Sequence, residues 1–253
     1  MIYDKTDIAN TLRGHYTLEE YAELEREIIE RSEVLIAASG PLADELKALS
    51  GGREVTVIPN GVDLTRFQPD RLHPVEAVNG LPRPRVGLVA TITDWIDMDW
   101  LGEAARRYPT WSFVLVGPVT KTADMRPVRG RSNVHLLGKQ PPEEIPSIIA
   151  GLDVCLHLLR EGPVRDVNRS TKVWEYLALG KPLVCSWIPD LEEYERLLYR
   201  CRDLPHFWRN LEAAVQEDDA KRVQERCGEA AKNTWECRVR SLLRLIDQLN
   251  AGS

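Results

Sequence analysis

The residue types and spacings best suited to chemistry lie in one run, Asn168-Arg169-Ser170-Thr171-Lys172-Val173-Trp174-Glu175-Tyr176-Leu177-Ala178-Leu179-Gly180-Lys181-Pro182. Ser170 or Thr171 can cap a helix here, Gly180 can close it, and Pro182 prevents its continuation. The first turn of such a helix presents backbone N–H groups and the positive end of its dipole, a site for a diphosphate. The hydroxyls of Ser170 and Thr171 and the charges of Arg169 and Lys172 would strengthen it. Glu175 falls one turn further in, among Val173, Trp174, Tyr176, Leu177 and Leu179. A carboxylate there needs a partner, because an unpaired buried charge is costly. A ribose diol donating two hydrogen bonds would serve. Lys172, three residues earlier on the solvent side, would serve equally well.

The elements around this run alternate. Met1-Ile2-Tyr3-Asp4 reads as a strand, and Thr17-Leu18-Glu19-Glu20 forms a capping box ahead of a helix with Leu18, Tyr21, Leu24, Ile28 and Ile29 at helical spacing. Val34 to Ala38 is a short strand, Ser39 caps a helix to about Leu49, and Glu54 to Ile58 is a further strand. Residues 69–84 hold Pro69, Pro74, Pro82 and Pro84 among polar residues, a linker composition. From Arg85 five apolar strands follow, at 86–90, 113–116, 134–137, 154–158 and 183–186, with helices at about 96–107, 142–151 and 171–179. Single helices between apolar strands imply a doubly wound parallel sheet of α/β class, with ligands at the carboxyl ends of the strands. The tail from Leu204 reads as helix.

Composition narrows the classes. The 253 residues are 43% hydrophobic and 28% charged, ordinary for a globular protein. A formal net charge of -6, with Lys and Arg interspersed among Glu, argues against a nucleic-acid partner. The five cysteines show no metal spacing and are expected to be reduced. His15, His73, His135, His157 and His206 suggest no metal site either, and His157 reads as a satisfied core residue. Asp94 is expected to cap the following helix. No Walker-type loop or Gly-x-Gly-x-x-Gly fingerprint is present. No run is long and apolar enough to span a bilayer. The expected location is the cytoplasm, with peripheral attachment to the inner face of the membrane as the alternative.

Two motifs carry a family resemblance. Val57-Ile58-Pro59-Asn60-Gly61-Val62-Asp63, followed by Arg66-Phe67-Gln68-Pro69, resembles the linker signature of retaining glycosyltransferases of group 1, which have two Rossmann-like domains (the GT-B architecture). The Glu175 helix resembles their donor-binding helix, with Lys-x-x-Glu-Tyr-Leu-x-x-Gly-Lys-Pro. The resemblance implies that Glu175 binds the nucleotide ribose and that the helix start at Arg169, Ser170, Thr171 and Lys172 binds the diphosphate. It further implies that the loop holding Thr91 and Ile92 approaches the phosphates or sugar through its backbone. Gly117 lies in a strand-end loop near the ligand or only shapes its turn. Lys139 lies in a turn that meets the nucleobase in the family, although an ordinary strand-to-helix loop fits as well.

The expected architecture is a partial acceptor-side domain over residues 1–68 and a nucleotide-sugar domain over 69–253. The implied reaction is metal-independent transfer of a sugar, with retention, from a nucleoside-diphosphate sugar to a hydroxyl of a glycan, lipid-linked or small-molecule acceptor. No cofactor is expected beyond that substrate. The linker motif arrives early, so the front half is expected to be missing and full activity to need it. Self-association or a partner chain would then cover apolar surface left bare. Two departures support a non-catalytic alternative. Val167 stands where many members carry a second Glu, with Asp166 and Asn168 beside it, and Ala90 to Asp97 holds no cation. No catalytic residue is assigned.

Overall fold

The structure, a computed structural model, describes residues 1–8, 17–73 and 75–252. His15 and Pro74 lie outside the described residues.

The first unit is a parallel three-stranded sheet in the order β1 (Ile2–Lys5), β2 (Val34–Ala37), β3 (Thr56–Val57). The capping box forms: the Glu20 amide donates to Thr17 Oγ1 at 3.2 Å and the Thr17 amide to Glu20 Oε2 at 2.8 Å, opening α1 (Leu18–Arg31). Ser39 caps α2 (Gly40–Leu49). The apolar spacing of α1 does not mark its buried face as expected. Ile29 and Glu25 are buried, while Leu18, Leu24 and Ile28 stay exposed. The sheet takes the Glu25 side because Lys5, buried in β1, donates to Glu25 at 2.5 Å and Tyr3 donates to it at 2.7 Å.

The second unit is a parallel six-stranded sheet in the order β6 (Val134–Gly138), β5 (Ser112–Val116), β4 (Arg85–Val89), β7 (Val154–His157), β8 (Leu183–Ser186), β9 (Tyr199–Cys201). Strands β4, β5, β7 and β8 are buried along their whole length, consistent with helices on both faces. The short strand β9 has no counterpart in the sequence reading. Helices α4 (Met98–Arg107), α5 (Ile145–Gly151), α7 (Thr171–Ala178), α8 (Leu204–Val215), α9 (Ala220–Lys232) and α10 (Trp235–Gly252) complete it, with the short α3 (Glu76–Asn79) and α6 (Pro163–Val167). Asp97, and not Asp94, caps α4, accepting from the amides of Asp99 and Trp100. The proline-rich stretch is more ordered than a linker: Val78 of α3 is fully buried, and the Arg85 guanidinium bonds Asn79 and the Leu81 carbonyl. Among the described residues no helix is long and apolar enough to cross a membrane.

The Pro-Asn-Gly-Val segment between the units is held on both sides. The Val62 amide donates to the Asn233 carbonyl at 2.9 Å, and the Trp235 amide donates to the Val62 carbonyl at 3.2 Å. Asn60 Nδ2 donates to the Arg169 carbonyl at 3.2 Å. The chains approach so closely that a Cβ on Gly61 would sit 2.6 Å from the Trp235 nitrogen. Gly61→Ala must therefore push the start of α10 away, and we expect a loss of about 1–3 kcal/mol in urea unfolding. A change within measurement error would refute this packing.

Candidate functional site

In an open parallel sheet the strand order reverses at one place, and the loops on either side part to leave a crevice at the carboxyl ends. Here the reversal lies between β4 and β7. The loops leaving those strands meet across it: the Asp97 amide donates to the Leu158 carbonyl at 3.1 Å and the Arg160 amide to the Trp95 carbonyl at 2.8 Å. A hollow of about 150 Å³ beside them is bordered by Asp7, Asn60, Trp95, Asn168 and Ser170, which come from both units. A second hollow of about 370 Å³ shares Trp95 and Val164 and includes Asp94, Arg160 and Glu161.

Helix α7 starts at this crevice. Ser170 is its cap, its hydroxyl accepting from the Lys172 amide at 3.2 Å. Gly180 ends it at φ +66, a conformation that favours glycine, and a Cβ there would meet Val223 of α9 at 2.5 Å. The fully buried Arg226 of α9 donates to the Gly180 carbonyl at 3.2 Å and pairs with Glu217. Val173, Trp174, Tyr176 and Leu177 are buried, and the Tyr176 hydroxyl accepts from the Val89 amide at 3.1 Å. Both ends and the inner face of α7 are thus fixed.

Glu175 is drawn in from solvent, its side chain 15% exposed, and accepts from Lys172 Nζ at 2.8 Å. The lysine pairing weighed from the sequence is present, but in a half-buried place and not on an open surface. Arg169 is committed elsewhere: it pairs with Asp190 at 3.1 Å and Glu193 at 2.6 Å and donates to the Tyr194 hydroxyl at 3.2 Å. Its charge is therefore already shared between two carboxylates.

The remaining candidates divide. Thr91 is exposed at the crevice loop. Ile92 is fully buried, and its backbone is spent: its amide donates to the Pro118 carbonyl at 2.8 Å and its carbonyl accepts from the Thr120 amide at 2.9 Å. Gly117 is required by close approach, since at φ +135 a Cβ would lie 1.9 Å from the Ala90 carbonyl oxygen. Lys139 is exposed after the left-handed Gly138. Of the residues flanking Val167, Asp166 pairs with Arg165 at 2.9 Å and Asn168 Oδ1 lies 3.1 Å from His157 Nε2. Val167 itself packs, with Val164, against the first unit's Ala37, Ala38 and Leu42 cluster. Among the described residues no group of His, Cys, Asp and Glu could hold a metal ion.

Sequence reasoning missed the carboxylates that meet Arg169, because Asp190 and Glu193 lie more than twenty residues further on, in a 3-10 stretch (Pro189–Leu197) that no local pattern links to the start of α7. It placed His157 in the core correctly. Its partnership with Asn168, eleven residues on, had no local signal.

The family described as glycosyl transferases group 1 matches residues 83–216, more than half of the chain, and the chain belongs to that family. A curated relative, the putative teichuronic acid biosynthesis glycosyltransferase TuaH of Bacillus subtilis (strain 168), is 26% identical over 208 residues. That match covers 78% of this chain and 52% of TuaH, so the chain spans about half the length of the relative. Among solved structures, Anabaena HepE in complex with UDP and glucose is similar with a TM-score of 0.73 at 15% identity, covering 98% of this chain and 71% of that one. Sucrose-phosphate synthase from Thermosynechococcus elongatus is similar with a TM-score of 0.71 at 18% identity, covering 100% and 68%. The fold is that of the GT-B glycosyltransferases.

Burial of His157 lowers its pKa from the ordinary 6.5, partly offset by the hydrogen bond to Asn168. The folded chain then holds fewer protons than the unfolded chain just below pH 6.5, so stability falls on acidification through that window. We expect His157→Gln to remove up to about 1.4 kcal/mol per pH unit from the slope below that pH. An unchanged slope in urea unfolding at a series of pH values would contradict the assignment.

Proposed function

We propose that the chain carries the donor site of a metal-independent, retaining glycosyltransferase that takes its sugar from a nucleoside diphosphate. The observation that carries this reading is Glu175. It is a mostly buried carboxylate one turn inside a helix whose cap, Ser170, borders the hollow at the strand reversal. Its hydrogen-bond partner, Lys172, is 28% exposed and has a long stem. A ribose diol can take the carboxylate while Lys172 turns to the diphosphate, so both charges stay paired. The amides at the start of α7, with Ser170 and Thr171, would hold the diphosphate, and Arg169 would add a more distant charge because Asp190 and Glu193 share it. Thr91 and the Gly117 loop would border the phosphates and sugar, Ile92 would support that loop through its buried side chain, and the Lys139 turn would border the base. Preorganised donors of this kind stabilise charge developing on a leaving diphosphate. HepE, similar in fold, is described in complex with UDP and glucose, which supports a nucleotide-sugar donor. TuaH, the relative of teichuronic acid biosynthesis, supports a glycan acceptor.

A second reading is a donor-type domain that binds nucleotide without transfer. Val167 favours it, because that side chain is packed between the units where many members carry a carboxylate. Transfer assays with UDP-, GDP- and ADP-sugars separate the two.

Calorimetric titration of the chain with UDP, GDP and ADP should show saturable binding of at least one. Glu175→Ala should weaken it about 10- to 100-fold, the loss of a charged hydrogen-bond pair of roughly 1.4–2.8 kcal/mol, with circular dichroism unchanged. Binding by the variant at full affinity would refute the ribose role.

A further inference from the structure

Asn168, between α6 and the cap of α7, has no part in the donor reading. It borders the hollow of about 150 Å³ that Asp7, Asn60, Trp95 and Ser170 also line. The residues on either side of it are spent on structure. Val167 packs against the first unit, Asp166 pairs with Arg165 at 2.9 Å, and Arg169 is shared between Asp190 and Glu193. Asn168 is engaged on one edge only: its Oδ1 lies 3.1 Å from Nε2 of His157, at the end of β7.

That contact fixes which way the amide faces. His157 is 7% exposed. Burial favours its neutral ring, and the nearby Lys172 charge adds to that effect against the bond to Asn168. A neutral imidazole has a single N–H, and an acceptor oxygen facing Nε2 keeps the proton on that nitrogen. With Oδ1 held by the ring, the two N–H groups of Asn168 Nδ2 point away from it. Among the described residues no acceptor meets that nitrogen, and it is not among the buried polar atoms. The open part of this side chain in the hollow is therefore a pair of hydrogen-bond donors.

Its position along the ligand follows from the helix. Glu175 lies one turn inside α7, and the first-turn amides lie at the tip. A molecule with its ribose on Glu175 and its diphosphate on those amides carries its next group past Ser170. Asn168 stands two residues before that cap.

We propose that Asn168 contacts the sugar of the donor, its side-chain N–H groups donating to a sugar oxygen, and that His157 is the positioning residue that orients this amide. The inference rests on the donor reading and adds to it a side-chain contact to the transferred group. An amide left to rotate would present oxygen or nitrogen to the sugar in turn, and the buried ring removes that choice.

The test sets UDP against UDP-glucose and UDP-N-acetylglucosamine, and GDP against GDP-mannose, in calorimetric titrations. Asn168→Ala should weaken the nucleotide sugar about 3- to 10-fold more than the bare nucleotide, the scale of one neutral hydrogen bond. His157→Leu, which removes the ring donor, should cause the same selective loss. His157→Gln, whose amide nitrogen can take the place of Nε2, should restore it. A merely structural role for His157 would weaken both ligands together. Long-range ¹H–¹⁵N spectra of the unaltered chain should show the His157 proton on Nε2, a reading that does not depend on any variant folding. Equal losses for sugar conjugate and bare nucleotide in Asn168→Ala, or a His157 proton on Nδ1, overturn this inference and leave the donor reading standing. Absence of any nucleotide binding overturns both.

Discussion

The contact on which the rest depends is the buried pairing of Arg169 with Asp190. Arg169 immediately precedes the cap of α7, and its carbonyl accepts from Asn60 in the segment between the units. Asp190 accepts from the Gly40 amide at the start of α2. One ion pair thus joins helix α7, the outer part of the second sheet and the first unit. Breaking a buried pair strands the remaining charge, at a cost of about 3–5 kcal/mol. The arrangement explains why the arginine at the start of α7 is not itself free: it sets where the helix begins.

What surrounds that pair works to the same end. Val164 and Val167 of α6 press on the first unit, Gly61 lets the Pro-Asn-Gly segment lie against α10, and Arg226 anchors the far end of α7. The helix start is consequently held between two sheets, and Glu175 keeps a fixed depth below it. The loops on either side of the crevice are tied across it through Trp95 and Arg160.

Much of this was legible in the residues. Four of the five apolar runs match the buried strands β4, β5, β7 and β8 nearly to the residue, since a strand buried on both faces leaves no polar alternation to confuse the reading, and the fifth is the edge strand β6. The capping box at Thr17, the cap at Ser39 and the boundaries of α7 followed from local hydrogen-bond chemistry. What could not be read was long-range. The burial of α1 on its Glu25 side depends on Lys5, a charge inside a strand that pattern rules place outside. Asp97 displaces Asp94 as a cap because the intervening residues Trp95 and Ile96 are used to bridge the loop after β7. The commitment of Arg169 depends on residues more than twenty positions away. Polar partnerships across a fold carry no periodicity, so the sequence named candidate residues without showing which of them are already engaged.

The most direct test of the account is a crystal structure of the chain with a nucleoside diphosphate. The account places the diphosphate oxygens at the first-turn amides of α7, with the ribose hydroxyls on Glu175 and Lys172 turned from that carboxylate toward phosphate. A nucleotide bound elsewhere, with the Lys172–Glu175 pair intact, would contradict it.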